Sequence, residues 1–432
     1  MPNIIITPVV YTRGVLMNLG GYMNVARNLT KEYTKEFGNK AQKIGATFQV
    51  RKPQRFEGTT NIQYTPEPLK NIFTTVTVDK PFGIHFEWGS IEKTLSIQDA
   101  QEKYFKPAAL RIAHYANQKA AEFAYFNSFN TVGIPGETPG SGSSTVPDLL
   151  GVYMGAGDKL VAQGLPEGEP LTCIISRKMS SVFVGRVSSL FTPTELIGGQ
   201  YKRGWIDPTG LGYRWAKDQG LHVHTSGTLA DTGNTAAVDG DGQVADDGNN
   251  SSQSINLKGF TAGATIKRGD WFTIAGVYAT HPQYRTSTGE LMQFKVMADA
   301  VADGSGDVTL SIFPAITPTG QYQNVNAAPA GDADVLFCGA ATTDKDKYGG
   351  VTSRAGLLLH KNAFAFVSVP LEGPEAGMGA KVVQETDPAT GIKLRFTQSW
   401  DAIMSREITR LDSLHGYGAL YKELSCVILG AA

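Results

Sequence analysis

The sequence predicts an α+β protein with an all-β domain inserted into it, and three observations carry that prediction. Gly (49) and Pro (21) are abundant while charged residues make up only 18% of the 432, which suits strands and turns better than a helix bundle. One strong helical run, AALRIAHYANQKAAEFAYFNSF, follows Pro107. Composition then changes abruptly at Ser226, so that residues 226–343 read as short strands set between two α/β stretches. A hydrophobic content of 41% and a net charge of −1 place the chain among globular proteins, and its length suits about three ordinary domains.

Residues 15–37 read as a mobile or helical arm, with Leu16, Leu19, Met23, Ala26 and Leu29 loosely at helical spacing and Gly20-Gly21 weakening it. IGATFQVRKPQRF (44–56) and IFTTVTVDKPFGIHFEW (72–88) have strand patterning, the second alternating Val76 and Val78 against Thr75 and Thr77. A polar stretch with Pro66 and Pro68 joins them into a long hairpin whose edges need a partner. Ser96 with Asp99 forms a capping-box pattern ahead of a helix. Pro107 either interrupts that helix or starts the next one in its first turn. The long helix beyond it carries an apolar stripe of Ala109, Ile112, Ala116, Ala120 and Phe123.

GIPGETPGSGSSTVP (133–147) is an exposed loop. A helix at about 147–163 and a strand at 171–176 follow. A second loop, 198–212, leads to a strand around Leu221–Thr225. The stretch from Ser226 is acidic without one basic residue, and 228–253 is expected to be its mobile part. Short β runs come at 255–258, 264–266, 271–278, 291–297, 307–313 and 335–338, with the turn spacing of a small barrel or sandwich. The α/β pattern resumes at Gly349. The chain closes with two long strands, GIKLRFTQSWDAIMSREITRLD and LYKELSCVILG, around a turn at SLHGYG.

Charge is divided along the chain. Residues 1–55 hold nine basic side chains against Glu32 and Glu36, a net of +7, while residues 226–343 hold twelve acidic against five basic, a net of −7. Two surfaces facing different environments are expected. The start, MPNIIITPVVYTRG, lacks the basic segment and long apolar core of a signal peptide. No apolar stretch approaches the roughly 20 residues of a membrane span. Cys173, Cys338 and Cys426 are scattered and odd in number, which predicts buried thiols in a reducing compartment rather than a disulfide framework.

Motifs for chemistry are weak. His222 and His224 alternate on one strand without further metal ligands nearby, so a structural role is expected. Asp239, Asp241 and Asp247 have a calcium-loop flavour, but Val244 stands where glycine is needed and no closing Glu follows, which leaves a solvated acidic loop. GYGALY (416–421) has two of three dinucleotide glycines but precedes a strand, and phosphate-loop and nucleophile-elbow motifs are absent. No catalytic residue, cofactor site or metal site is predicted. Arg268-Gly269-Asp270, the tripeptide of adhesion loops, sits between two β runs and is read as a hairpin turn.

The order of segments resembles the major capsid protein of tailed bacteriophages, of the Hong Kong ninety-seven fold, and most of all the coat-protein family of phage P-twenty-two. IGATFQVRKPQRF is similar to the opening of that family's E-loop, and TLSIQDAQEKYFKPAALRIA to the lead into its spine helix. LVAQGLPEGEPLTCIIS resembles the start of the axial domain. YKRGWIDPTGLGYRWAKDQGLHVHTSGT resembles the lead into an inserted domain holding IKRGDWFTIAGV, and SREITRLDSLHGYGALYKELSCVIL the closing strands. The resemblance implies an N-terminal arm (1–45), an E-loop hairpin (46–95), a spine helix and peripheral domain (96–146) and a first part of the axial domain (147–225). An inserted β-barrel (226–343) and closing axial and peripheral strands (344–432) complete it.

It also implies a virion protein, assembled in the cytoplasm of a bacterial host into hexamers and pentamers of an icosahedral shell. Its expected partners are further copies of itself, a scaffolding protein, a portal protein, packaged double-stranded DNA bound without sequence specificity, and optionally a decoration protein; a membrane is not among them. Interface candidates are Arg13, Arg27, Lys31 and Lys35 in the arm, with Arg55, Tyr64 and Lys70 along the hairpin. Lys70 and Asn71 are expected to stay free of covalent cross-links. A bacterial nanocompartment shell of the same fold is the alternative, opposed by the inserted domain and the length. A β-rich adhesin or sugar-binding protein rests only on the tripeptide and the β content and is opposed by the lack of an export signal, and an enzyme lacks any motif.

Overall fold

The computed structural model describes residues 23–32, 46–58, 66–89, 106–141, 149–187, 210–373, 380–387 and 390–432. The chain divides into two compact units. One comprises Arg51–Ile72, Ala124–Ala363 and Tyr421–Ala432, the other Met1–Val50, Phe73–Phe123 and Phe364–Leu420.

The first of these units holds a six-stranded sheet. Asn130–Val132, Ser425–Ala431, Thr352–His360, Leu171–Ile175 and Tyr213–Lys217 lie side by side in that order, and Val223–Thr225 pairs with the start of Thr352–His360. Near-continuous apolar strands such as SCVILGA are what a sheet covered on both faces requires. Helices Leu149–Ala162 and Arg177–Val187 share a core with it through Val152, Tyr153, Leu160, Met179 and Phe183 against Cys173, Trp215, Leu358 and Cys426. The second helix escapes a sequence reading because Ser180, Ser181, Val182, Val184 and Gly185 are all indifferent helix formers. All three cysteines are buried and unpaired with one another.

Between Thr225 and Thr352 the chain leaves this sheet to build a barrel. Its strands run Val335–Phe337, Trp271–Thr280, Ser287–Val296, Val308–Phe313, Gln253–Lys258 and Ala237–Val238 in spatial order, every pairing antiparallel. A bridge between Ala237 and Asp334 brings the two edges together, so the barrel is nearly closed. Ile255, Leu257, Phe272, Phe294, Ile312 and Phe337 fill it.

Two expectations change here. The acidic stretch 228–253 is integral to the barrel rather than loosely attached. It supplies the sixth strand, buries Ala236 and Val238, and sets a buried Asn249 between Gln163 (3.2 Å) and Asn324 (3.0 Å). Its acidic side chains conceal this: Asp239, Asp241 and Asp246 are exposed, while Asp231 and Asp247 are half-buried. Arg268-Gly269-Asp270 is a turn but not a hairpin. Thr265–Ile266 before it pairs with Ala300–Val301 in a separate two-stranded sheet, while Trp271–Thr280 after it joins the barrel. Alternation identifies a strand without naming its partner.

The other unit is a six-stranded sheet under a helix. Ala46–Arg51, Phe73–Gly89, Arg406–Ala419, Lys393–Asp401 and Ala380–Thr386 are neighbours in that order, and Phe364–Val369 pairs with the far end of Arg406–Ala419. The alternation at 75–78 holds, with Val76 and Val78 buried. SLHGYG is not a turn. It lies inside Arg406–Ala419, and its glycines are there for lack of room: a Cβ on Gly416 would strike the Thr77 carbonyl, and one on Gly418 the Val76 side chain.

Helix Lys106–Asn127 takes Pro107 in its first turn and buries Ala109, Ile112, Ala116 and Ala120 as the stripe requires. The Tyr417 hydroxyl donates to the Ala116 carbonyl (2.6 Å), and Phe82 stacks on Tyr115 at 4.0 Å. Of the arm, only Asn24–Arg27 is helical among the described residues; Met23, Val25, Ala26 and Leu29 are buried, and the Val25 amide donates to Asn117 Oδ1 (2.8 Å). Leu16, Leu19 and the Ser96–Asp99 pattern lie outside the described residues.

His415 stands out in this core. It is fully buried among Tyr115, Phe366 and Tyr417, and neither ring nitrogen has a hydrogen-bond partner among the described residues. Burial pushes its pKa down from 6.5 to about 4, with Asp79 opposing and Lys80 reinforcing the shift. The unfolded chain therefore binds this proton at a higher pH than the folded chain does. The neutral ring's contribution is complete above about pH 6.5 and is lost as pH falls toward 4. The loss amounts to something on the order of 3 kcal/mol. His415→Leu, which leaves no buried polar atom unpaired, should match the parent's stability near pH 7 and show a shallower acid limb in urea unfolding between pH 6.5 and 4. Superimposable limbs for the two proteins would rule this account out.

Candidate functional site

The barrel hangs from a neck of two strands, and the neck is stitched across. The Ser226 amide donates to the Val351 carbonyl (3.1 Å), the Gly350 amide to the Gly227 carbonyl (2.8 Å), and the Ser226 hydroxyl to the Tyr348 carbonyl (2.6 Å). Asp270 closes the neck from inside. With its side chain fully buried, it meets His224 Nε2 (2.8 Å) and accepts from the amides of Gly227 (3.0 Å) and Lys267 (2.8 Å). Gly269 has φ +102°, and a Cβ there would press on Phe126, Tyr125 and His224, so glycine alone suits the position.

The same point receives the end of helix Lys106–Asn127. The Tyr125 hydroxyl donates to the Gly269 carbonyl (3.1 Å), and the Arg268 guanidinium lies over the Phe126 ring at 4.4 Å. Lys295 reaches from the barrel and donates to the carbonyls of Tyr125 (2.5 Å) and Ser128 (2.9 Å), capping the helix C-terminus. Burial lowers its pKa to about 7, with Asp270 the main opposing influence. His222 packs on Tyr125 and Phe126 with ring centres at 4.9 and 5.0 Å, so both histidines are structural. The buried Asp270 cannot serve as an adhesion ligand.

A second site is the segment between strands Ala46–Arg51 and Phe73–Gly89, which lies along the barrel as a strap. Arg285 Nη1 donates to the Gly320 carbonyl (3.0 Å) and pairs with Glu57 (3.6 Å). Gln321 Nε2 donates to Glu67 (3.0 Å) and Lys52 Nζ to Asn250 (3.3 Å). Glu67 also accepts the Glu57 and Gly58 amides, which hold its carboxyl below the usual range. Phe56 and Leu69 remain 62% and 70% exposed.

In the other unit a third site ends the hairpin Lys393–Asp401/Arg406–Ala419. Asp401 accepts from the amides of Ile403 (3.0 Å) and Met404 (3.3 Å), and Arg406 bridges Asp401 (3.3 Å) and Glu87 (2.6 Å). Those bonds fix a turn that presents Trp400, Ile403 and Met404 at 52%, 93% and 64% exposure. Three large apolar side chains are thereby exposed together on one tip.

The predicted interface residues are distributed rather than gathered. Arg13, Lys35 and Tyr64 lie outside the described residues. Arg27 is exposed at the end of Asn24–Arg27. Lys31 is half-buried, with its pKa lowered by burial against the pull of Asp387. Arg55 pairs with Glu423 (3.6 Å), whose side chain is nearly buried. Lys70 pairs with Asp247 (3.7 Å) and lies over the Tyr322 ring. Arg285 and Gln321, which hold the strap, were not foreseen. They sit in polar turns whose sequence gives no sign of what docks there. Among the described residues no group of three metal-binding side chains occurs.

Comparison with known proteins then gives this geometry a family. The family described as "P22 coat protein - gene protein 5" matches residues 40–427. No curated protein matches the chain. Among solved structures the chain is similar to one from Mycobacterium phage Che8 (TM-score 0.47, 10% identity over 94% of this chain and 90% of that one). It is also similar to the capsid of the Cyanophage P-SCSP1u (0.42, 13%, 91% and 85%). A further likeness is to the CUS-3 coat protein I-domain, 27% identical over 25% of this chain and 99% of that one, with a TM-score of 0.19. The match covers both the axial sheet and the inserted barrel and does not favour a nanocompartment shell. With its α+β frame, inserted barrel and strap, the chain belongs to the P22 coat protein family and is a major capsid protein of a tailed bacteriophage.

Proposed function

We propose that the chain builds hexamers and pentamers of an icosahedral shell, with a scaffolding protein, around double-stranded DNA. The shell would be completed by a portal protein and optionally a decoration protein, and assembled in the host cytoplasm. The role is structural rather than catalytic. The observation that carries this reading is the family match over residues 40–427 together with protruding apolar elements held in fixed conformations. Ring contacts join unlike patches, so a protein of this kind needs projecting parts whose shape is set before the partner arrives. The 400–404 tip has that character.

Residues 226–343 act in this reading as a separate β domain, expected to fold when expressed alone. The closed hydrogen-bonding of its sheet supports this. Dispersed amide signals are the expected result, and a random-coil spectrum would refute it. Arg13, Arg27, Lys31 and Lys35 face scaffold or genome on the inside, Arg55, Tyr64 and Lys70 serve contacts along the hairpin, and the acidic barrel faces outward. Lys70 and Asn71 form no cross-link.

Two further outcomes test the assembly surfaces. Ile403→Asp with Met404→Asp should leave the melting temperature within about 2 °C of the parent, since both side chains are exposed. Scaffold-assisted assembly, followed by light scattering, should nevertheless slow at least tenfold; parental rates would exclude the tip. Replacing Arg27, Lys31 and Lys35 by Ala should slow assembly and flatten its dependence on salt, because exposed ion pairs are individually worth about 0–1 kcal/mol but act together and are screened. Equal rates for mutant and parent at low and high salt would leave these side chains merely solvated.

A further inference from the structure

One cleft of the axial-sheet unit is used by none of the sites above. It has a volume of about 560 Å³ and is lined by Ser176, Arg177, Lys178, Ser181, Gln219 and Arg354, with the closing residues Ala431 and Ala432 as its remaining wall. Three of these side chains are cationic and none is acidic. They come from different parts of the fold: Arg177 and Lys178 from the first turn of helix Arg177–Val187, and Arg354 from strand Thr352–His360, across the sheet. Arg354 is oriented by donating to the Gln219 carbonyl (3.4 Å). Asp218, in the same turn as Gln219, accepts from the Gly220 amide (2.6 Å) and is not part of the lining.

The surroundings add to the positive field. Ser176 starts the helix, its hydroxyl accepting from the Met179 amide (3.2 Å) and its carbonyl from the Ser180 amide (3.0 Å), which points the positive end of the helix at the cleft. Lys217 lies close enough that burial, and next the charge of Arg177, lower its pKa. Arg177, Lys178 and Arg354 line one cleft with no acidic side chain among the lining, and an anion seated there would be attracted by all three.

We propose that this cleft is a phosphate-binding site that seats the sugar–phosphate backbone of double-stranded DNA. Two guanidinium groups, a lysine, the Ser176 hydroxyl and a helix N-terminus form the donor set that recognises phosphate oxygens, the Ser181 hydroxyl being already committed to the Lys178 carbonyl (2.9 Å). The lining offers no aromatic platform for stacking and no shape for reading base edges, so binding is indifferent to sequence. The polymeric form of the ligand rests on the capsid reading, in which many copies surround one genome. A site that neutralises two or three phosphates is weak alone and effective in number.

The test uses the full-length unassembled chain and a fluorescent duplex of about 20 base pairs, read by anisotropy. With two or three phosphates neutralised, affinity should fall about 10- to 40-fold between 50 and 200 mM salt. Arg177→Gln with Arg354→Gln should weaken binding at least tenfold at the lower salt and reduce that fall to a few-fold. Arg354→Lys keeps the charge but loses the fork. It should retain the parent's salt dependence with several-fold weaker binding, which covers the case in which the double variant fails to fold. Pyrophosphate should displace the duplex more effectively than polyglutamate at equal charge concentration. Parental affinity and salt dependence in the folded double variant, or in Arg354→Lys, would overturn the proposal, as would polyglutamate competing as well as pyrophosphate, which would point to an acidic protein ligand. Shell formation with a scaffolding protein is scored separately on the same preparations. Shells without duplex binding refute the cleft alone, and failure of the parent to form shells counts against the capsid reading.

Discussion

The buried carboxylate of Asp270 is the constraint on which the barrel-bearing unit depends. A domain inserted into a sheet has its two ends held side by side, and the two strands of the neck would otherwise end in amides facing a dry interior. Asp270 satisfies the Gly227 amide of the neck, the Lys267 amide of its own turn and a histidine at once. Losing one partner of a buried charged cluster costs about 3–5 kcal/mol, a large share of a domain's total stability. Lys295 performs the matching task for the helix, whose last carbonyls would be orphaned without it. Burial lowers the Lys295 pKa to about 7, and the charge of Asp270 is the main influence raising it. Neck and helix end thus share one electrostatic neighbourhood.

The strap is held by a different kind of force. Two of its ion pairs, Lys70–Asp247 and Arg285–Glu57, are partly exposed, and such contacts contribute about 0–1 kcal/mol each; in the third, Arg55–Glu423, the carboxylate is nearly buried. The partly exposed pairs define where the strap lies without themselves making it costly to lift. The neck is thus a permanent joint and the strap a positional one. That difference follows from burial alone, since the chemical groups are of the same types in both places.

Much of this was legible in the sequence because the physical signal was local. Val76 and Val78 show one buried face, Pro107 marks a first helical turn, and the barrel strands appear within two or three residues of their expected limits, apart from the start of Ser287–Val296 and from Ala237–Val238, which was not expected as a strand. What was not legible depended on a partner distant in the chain. Gly416 and Gly418 look like turn residues until Phe73–Gly89 is placed against them. Asp270 looks like part of an adhesion tripeptide until His224 and Gly227 are brought to it. Arg285 and Gln321 are ordinary polar residues until residues 51–72 lie along them. Of the predicted interface residues, charge composition found the basic side chains but not their partners. Arg55 and Lys70 turn out to be engaged within their own chain.

That engagement bears on how a shell protein keeps its contacts in reserve. Lys70, already paired with the partly exposed Asp247, gains little by exchanging it for another carboxylate, because both pairs are solvated, and Arg55 would have to leave the nearly buried Glu423 unpaired. An exposed apolar side chain gains on the order of 25 cal/mol for every Å² it buries, with no partner to give up. By that measure Phe56, Leu69, Ile403 and Met404, if covered by a partner, have more free energy to offer than Arg55 or Lys70, which are already paired. The apolar groups are few and sit on elements anchored by hydrogen bonds, Asp401 beneath the hairpin tip and Arg285 beneath the strap. Each contact is then weak enough to be reversed and well enough placed to be repeated, which is the combination a closed shell of many copies requires.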